Sequence, residues 1–138
     1  DERTQALLAK IRSTGVPLGE YVGGKIYYGI KTGLNEAFVI DVAMQERLIA
    51  EDVKSAELIK PFLAGRDIKR YEQPANDKCL ILIHRGWTRE KTEGSEDALG
   101  WLKKSYPAIA NYLHPFAEAA EKRYDKGEFW WELRTCGY

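Results

Sequence analysis

An unbroken run of five apolar residues, Cys79-Leu80-Ile81-Leu82-Ile83, constrains the fold of this 138-residue chain more than any other feature. The run is too short to form a helix of its own, and it is far shorter than the roughly 18 apolar residues that a membrane span needs. Turn-forming residues flank it, with Asn76-Asp77 before it and Gly86 after it. The run therefore predicts a strand that is buried on both faces.

A hairpin is predicted before this strand. Residues 25–30 and 36–41 are both rich in aromatic and β-branched side chains, which favour strands. The five residues 31–35 separate the two segments, and this length is typical of a connection between antiparallel strands. A last strand-like segment, Phe129 to Arg134, carries Trp130 and Trp131, and we expect Trp130 to point inwards and Trp131 outwards.

Apolar residues at helical spacing predict several helices. The first two are a short helix ending at Ser13-Thr14-Gly15 and a helix over Met44 to Ala50. A turn capped by Ser55 follows; it buries Leu58, Ile59 and Phe62 and ends at Gly65. The last two are Ala98 to Lys104, capped within Ser95-Glu96-Asp97, and Pro107 to Gly127, with a kink at Pro115. Residues 84–94 are charged and contain glycine, which indicates a loop. Together these elements predict a single α+β domain, a small mixed or antiparallel sheet with peripheral helices.

Composition narrows the class of protein. Apolar residues make up 44% of the chain, enough to fill a core, so intrinsic disorder is excluded as the main state. The 21 basic and 21 acidic residues balance, which excludes a protein whose whole surface binds polyanions. Two cysteines are too few for a disulfide framework, so we expect a cytoplasmic protein. No apolar run is long enough to span a membrane, so we expect no membrane contact.

The glycine-containing segment around residue 30 fails as a nucleotide-binding P-loop. Gly24 and Gly29 have the spacing of the P-loop glycines, but Ile30 stands where the lysine must follow. The segment still offers donors suited to one phosphate or base edge, from Lys31, Thr32 and Asn35. An ordinary hairpin loop with solvated polar residues is the alternative.

The basic residues are unevenly distributed. Residues 60–91 hold eight basic and four acidic side chains, a net charge of +4 in a chain whose total is zero. Two groups of candidate DNA contacts lie here, the first Arg66, Lys69 and Arg70 and the second Arg85, Arg89 and Lys91. Two alternatives remain open: Asp67 pairs with Arg66 or Arg70 in an ordinary charged turn, and residues 84–94 form a surface loop that contacts nothing.

Catalytic patterns are weak throughout the sequence. Cys79 and His84 are five residues apart, which places them on opposite faces of a regular strand and disfavours a Cys–His pair. With two histidines, and cysteines not spaced with other ligands, a zinc site is not expected. We therefore predict no catalytic residue and no metal ligand in this chain.

Three blocks of sequence together resemble a known family. They are Tyr28 to Asp41 (YGIKTGLNEAFVID), Ile59 to Tyr71 (IKPFLAGRDIKRY), and Tyr106-Pro107-Ala108-Ile109 with Lys126-Gly127 to Trp131-Glu132-Leu133-Arg134. Their order and content are similar to the TaqI-like C-terminal specificity domain, the DNA target-recognition domain of adenine-N6 DNA methyltransferases and of fused restriction–methylation enzymes.

The resemblance implies a module that grips double-stranded DNA and selects a sequence while a separate domain methylates a flipped adenine. That catalytic domain would bind S-adenosylmethionine, so no cofactor is expected in this chain. The resemblance further implies that residues 1–15 lead from the catalytic domain, that residues 16–138 are the recognition domain, and that the family's domain continues past Tyr138. A protein-interaction module that docks on a partner or on the catalytic domain is the competing hypothesis.

Overall fold

The apolar run at 79–83 forms the centre of a small sheet in a computed structural model, which describes residues 1–25, 29–94 and 96–134. Strand β3, Lys78–Ile81, lies between β1, Val39–Asp41, and β2, Ile59–Pro61, and pairs antiparallel with both. In the register, Cys79 faces Ile40 on one side and Pro61 on the other. Pro61 is tolerated because β2 is an edge strand. The prediction of a central buried strand is confirmed, although the strand ends at Ile81 and leaves Leu82 and Ile83 outside it.

The chain divides into two units. Of the described residues, 1–25 and 29 belong to the first unit, and 30–94 and 96–134 belong to the second. The first unit contains helix α1, Glu2–Thr14, and the short helix α2, Leu18–Tyr21. The functional division predicted from the sequence, into 1–15 and 16–138, stays a prediction.

Helices of the second unit surround the sheet. They are α3, Asn35–Phe38; α4, Val42–Glu51; α5, Ser55–Leu58; α6, Trp87–Thr92; α7, Ala98–Ser105; α8, Pro107–Leu113; and α9, Ala117–Lys122, with 3₁₀ turns at Gly65–Asp67 and His114–Phe116. The α+β class with peripheral helices is confirmed, and the sheet is antiparallel. The kink expected at Pro115 is the second 3₁₀ turn, where the missing N–H interrupts the α-helix.

Local caps explain where two of these helices begin. The carboxylate of Asp41 accepts from the backbone N–H of Met44 at 2.8 Å, and that of Asp97 accepts from Gly100 at 2.9 Å. Each bond satisfies one of the free N–H groups of a first helical turn. Asp97 supplies the cap predicted within 95–97, whereas Ser95 lies outside the described residues. Ser55 is the first residue of α5 rather than its cap, and that helix ends at Leu58 because the chain there enters β2.

The second strand of the predicted hairpin is wrong over most of its length. Residues 35–38 are helical, and Val39–Asp41 is extended and pairs antiparallel with β3. Part of the predicted first strand, residues 26–28, lies outside the described residues. Helix α3 buries Ala37 and Phe38 completely, so tertiary burial overrides the β-propensity of the segment.

The core lies on both sides of β3. Ile81, Ile83, Leu102, Ile109 and Leu113 are completely buried. Beside them an aromatic cluster joins Trp87, Trp101 and Tyr106, with ring centroids 5.5 to 6.0 Å apart. Among the described residues, none of the helices has the length and apolar character to cross a membrane.

Candidate nucleic-acid interface

Residues 84–94, predicted as a loop, contain helix α6. Gly86 caps this helix with a φ of 85°, a left-handed conformation that glycine adopts readily. Trp87 and Thr88 in its first turn are buried in the protein, whereas Arg85, Arg89 and Lys91 are exposed. The loop prediction is therefore wrong, and three of the predicted DNA contacts lie on or beside a short ordered helix.

The carboxylate of Glu132, which is completely buried, holds α6 in place. Its Oε1 accepts from the Thr88 N–H at 3.0 Å, and its Oε2 accepts from the N–H groups of Gly86 at 3.1 Å and Glu128 at 2.8 Å. Backbone N–H groups compensate a buried carboxylate for the loss of its hydration. Glu132 thus joins the start of α6 to the last part of the described chain, and these bonds span more than 40 residues of sequence.

Further contacts rigidify the same junction. The indole N–H of Trp131 donates to the Thr88 hydroxyl at 2.9 Å, and the backbone N–H of Arg85 donates to the Leu133 carbonyl at 3.0 Å. On the surface, Arg89 Nε lies 2.8 Å from the carboxylate of Glu128. Arg89 is therefore already paired, whereas Arg85 is exposed and its side chain makes no ion pair with any described residue.

The segment 129–134 is consequently a turn rather than the predicted strand. Leu133 makes isolated bridges to His84 and to Lys126, and the residues around it form turns. Trp131 is buried and Trp130 only half-buried, which is the reverse of the predicted orientation. A strand would place alternate side chains on opposite faces, but the turn lets Trp131 and Glu132 both point into the protein.

Arg123 organises the segment that carries Lys31, Thr32 and Asn35. Its buried guanidinium donates to the carbonyl oxygens of Thr32, Ala120, Trp130 and Glu132, and it lies 4.2 Å from the centre of the Phe38 ring. Burial lowers the pKa of Arg123 to about 10, although Asp125 and Glu121 act in the opposite direction.

The three predicted contacts in this segment differ in accessibility. Thr32 is buried, and its hydroxyl donates to the side-chain oxygen of Asn35. Its backbone carbonyl accepts from the Arg123 guanidinium, so Thr32 has a structural role rather than that of an exposed DNA contact. Lys31 and Asn35 are exposed.

The other cationic group lies on the connection between β2 and β3. Arg66, Lys69 and Arg70 are all exposed. Asp67 does not form an ion pair with either arginine, as one hypothesis expected, because its carboxylate accepts from the Ala64 N–H at 3.0 Å and lies 3.1 Å from Lys78 Nζ. These two contacts, with a smaller contribution from Arg66, hold the pKa of Asp67 below its usual value.

The two cationic groups lie towards opposite ends of β3. Asp67 contacts Lys78 at the first residue of β3, whereas Arg85 follows the other end of the strand. The two groups of predicted DNA contacts are therefore connected to opposite ends of this short strand, and Lys60, another basic residue of the region, lies opposite Leu80 within it.

Sequence reasoning missed Arg123 and Glu132, the two charged residues that organise this region. The sequence does contain one signal for Glu132. It is the only charged residue in the apolar segment Phe-Trp-Trp-Glu-Leu, and a solvated surface charge is seldom flanked by apolar residues in this way. Nothing in the sequence around Arg123 indicates its burial. Among the described residues, the structure has no group of three or more histidine, cysteine, aspartate or glutamate side chains that could hold a metal ion.

The comparisons with known proteins give no relative for this arrangement. No protein-family model, no curated protein and no solved structure matches the chain.

Proposed function

We propose that this chain is the duplex-DNA target-recognition module of an adenine-specific DNA methyltransferase, of the type found in restriction–modification systems. The sequence resemblance to TaqI-like specificity domains suggests this function. One structural observation supports it most: Arg85, Arg89 and Lys91 are exposed around a helix whose start is clamped by a buried carboxylate. Methyl transfer from S-adenosylmethionine would be the task of a separate catalytic domain.

The clamp matters because binding DNA with flexible side chains costs conformational entropy. Glu132, Thr88 and Trp131 fix the backbone that carries the cations before any ligand arrives, which reduces this cost. Arginine bonds guanine O6 and N7 together, so Arg85 is the best candidate for reading a base. Arg89 can do so only after leaving Glu128.

The group at the other end of β3 would grip the backbone. Arg66, Lys69 and Arg70 are exposed cations, which suit phosphates and carry no information on sequence. With Asp67 neutralised by Lys78, its negative charge no longer opposes a phosphate at this place. Two groups of cations, one for phosphates and one for bases, match the division of labour in DNA recognition.

The salt dependence of binding tests the proposal. Binding of a fluorescent duplex by the chain should weaken steeply with salt, because cations at phosphates release counterions. Arg66→Ala or Arg70→Ala should flatten the slope of log affinity against log salt by about one unit. Arg47→Ala is the matched control, since Arg47 is also exposed but pairs with Glu51 on α4. Absence of salt-dependent duplex binding would refute the proposal.

A second measurement concerns base selection and methylation. In the intact parent, Arg85→Ala and Arg89→Ala should each relax the preference at one base position, at a cost of about 1–3 kcal/mol against the preferred base only. Equal losses of affinity for all DNA sequences would indicate that these residues contact phosphates.

The isolated chain should transfer no methyl group when incubated with S-adenosylmethionine and duplex DNA, and any transfer would contradict the assignment of catalysis to another domain.

A second candidate function, a protein-interaction module, is supported by helix α1. None of its residues is buried, and Leu7, Leu8 and Ile11 are 40 to 59% exposed. A helix of 13 residues is marginally stable alone, so burying this apolar face in the methyltransferase catalytic domain would stabilise it. Leu7→Asp should then abolish association of the chain with the separately expressed catalytic domain, whereas Lys10→Ala should not. Equal association of both variants would exclude α1 as the contact.

A further inference from the structure

The connection between β2 and β3, residues 62–77, exposes apolar side chains beside its cations. Ile68 is 64% exposed and Tyr71 is 91% exposed. Single exposed apolar residues are ordinary, but here two large ones lie within four residues of sequence, next to the cations Lys69 and Arg70. We call Ile68 and Tyr71 the apolar tip.

The backbone holds Tyr71 in an unfavourable conformation. Its φ is 62°, in the left-handed region that tyrosine rarely adopts. The Arg70 guanidinium lies 4.8 Å from the ring centre and donates to the Tyr71 hydroxyl at 2.9 Å. Since the ring is still 91% exposed, Arg70 covers only a small part of it, and most of the ring surface is open for stacking. The ring gains little from burial in this chain, which points to an external partner.

The charges beside the tip indicate the chemistry of that partner. Asp67 pairs with Lys78 and Glu72 lies 3.6 Å from Lys69 Nζ, so Arg66 and Arg70 make no ion pair with any described residue. A surface that combines an open aromatic ring with excess positive charge complements a ligand with flat apolar faces and negative phosphates. A base step of duplex DNA has both features.

We propose that the apolar tip inserts against a base step of the bound duplex and unstacks it, with Tyr71 stacking on an exposed base. This inference rests on the proposed DNA-binding function and adds to it a deformation of the DNA. Wedges of this kind open a base step at a cost in stacking, which the flanking phosphate contacts offset. Arg66 and Arg70 are placed to make such contacts.

A mismatched duplex tests this inference, because a mismatch removes part of the unstacking cost. Two fluorescent duplexes of roughly 25 base pairs, identical except for one central T·T mismatch, are compared by anisotropy. The native chain should bind the mismatched duplex about 10-fold more tightly than the matched one. Tyr71→Phe should keep this preference, since the ring remains.

Tyr71→Gly should abolish the preference while leaving the salt slope unchanged. Glycine adopts a φ of 62° readily, so this variant relieves the backbone and folds at least as well as the native chain. Tyr124→Gly is the matched control, because Tyr124 is 86% exposed and also lies beside an arginine, Arg134, at 5.5 Å. The control should keep the preference for the mismatch.

The outcomes separate the two proposals. Equal, salt-dependent binding of both duplexes by the native chain, or a preference that survives in Tyr71→Gly, overturns the wedge and leaves the DNA-binding proposal standing. Binding of neither duplex overturns both. If Tyr71 stacks on a protein partner instead of on DNA, the native chain should bind both duplexes equally, and this result overturns the wedge.

Discussion

Replacing Glu132 by glutamine tests the clamp that holds helix α6. Glutamine has the same shape, but it presents one oxygen and one NH₂ group where glutamate presents two accepting oxygens. If the NH₂ group faces Thr88, one hydrogen bond is lost; if it faces the N–H groups of Gly86, Glu128 and Phe129, three are lost. In either orientation at least one buried or half-buried N–H group loses its acceptor and meets another donor.

The magnitude follows from these contacts. A hydrogen bond to a charged group contributes about 1.5–3 kcal/mol, and a buried N–H left without a partner costs about 1–3 kcal/mol. We therefore expect Glu132→Gln to lower the free energy of unfolding by about 3 kcal/mol or more, out of roughly 5–15 kcal/mol for a domain. This corresponds to a fall of about 1–3 M in the urea midpoint.

Urea unfolding followed by tryptophan fluorescence measures this change, since Trp87 and Trp131 are buried beside the clamp. Glu118→Gln is the control: its side chain is 85% exposed and makes only a surface pair with Lys122, so its loss should cost no more than about 0.5 kcal/mol. A midpoint for Glu132→Gln equal to that of the control would refute the argument that backbone N–H groups hold this carboxylate.

Three further predictions concern single positions. Gly127→Ala should destabilise the protein by about 1–3 kcal/mol in the same urea assay, because its Cβ would lie 2.5 Å from Glu132 Cβ and 3.1 Å from Arg85 Cα; a neutral effect would contradict this close approach. Glu93→Gly should raise the urea midpoint by relieving a φ of 51° at the end of α6, with a gain of about 1 kcal/mol, whereas Glu93→Ala should not. Burial, with the bond to Glu57, raises the pKa of Tyr106 to about 12, so its protonated form stabilises the fold fully below pH 10 and this contribution is lost as pH rises towards 12. The stability of Tyr106→Phe should therefore fall less steeply than that of the native chain above pH 10, and parallel curves would disprove the shift.

The sequence alone determined the elements whose causes are local. The run at 79–83 is apolar on both strand faces, so it must lie inside a sheet wherever the rest of the chain goes. Asp97 caps α7 from the adjacent residues, and Pro115 interrupts a helix through its own missing N–H. The basic character of 60–91 is likewise a property of composition.

The tertiary structure decided the features that depend on partners distant in sequence. Residues 35–38 have strand-like composition but form a helix because Phe38 is buried there beneath Arg123. Charge alone predicts that Arg123 and Glu132 are solvated; they are buried because carbonyl groups and N–H groups from separate segments meet around them. The same contacts hold residues 87–92, which form α6. Hydrogen bonds across more than 40 residues leave no periodic pattern in a sequence, so only the folded chain shows which charges are exposed and which hold it together.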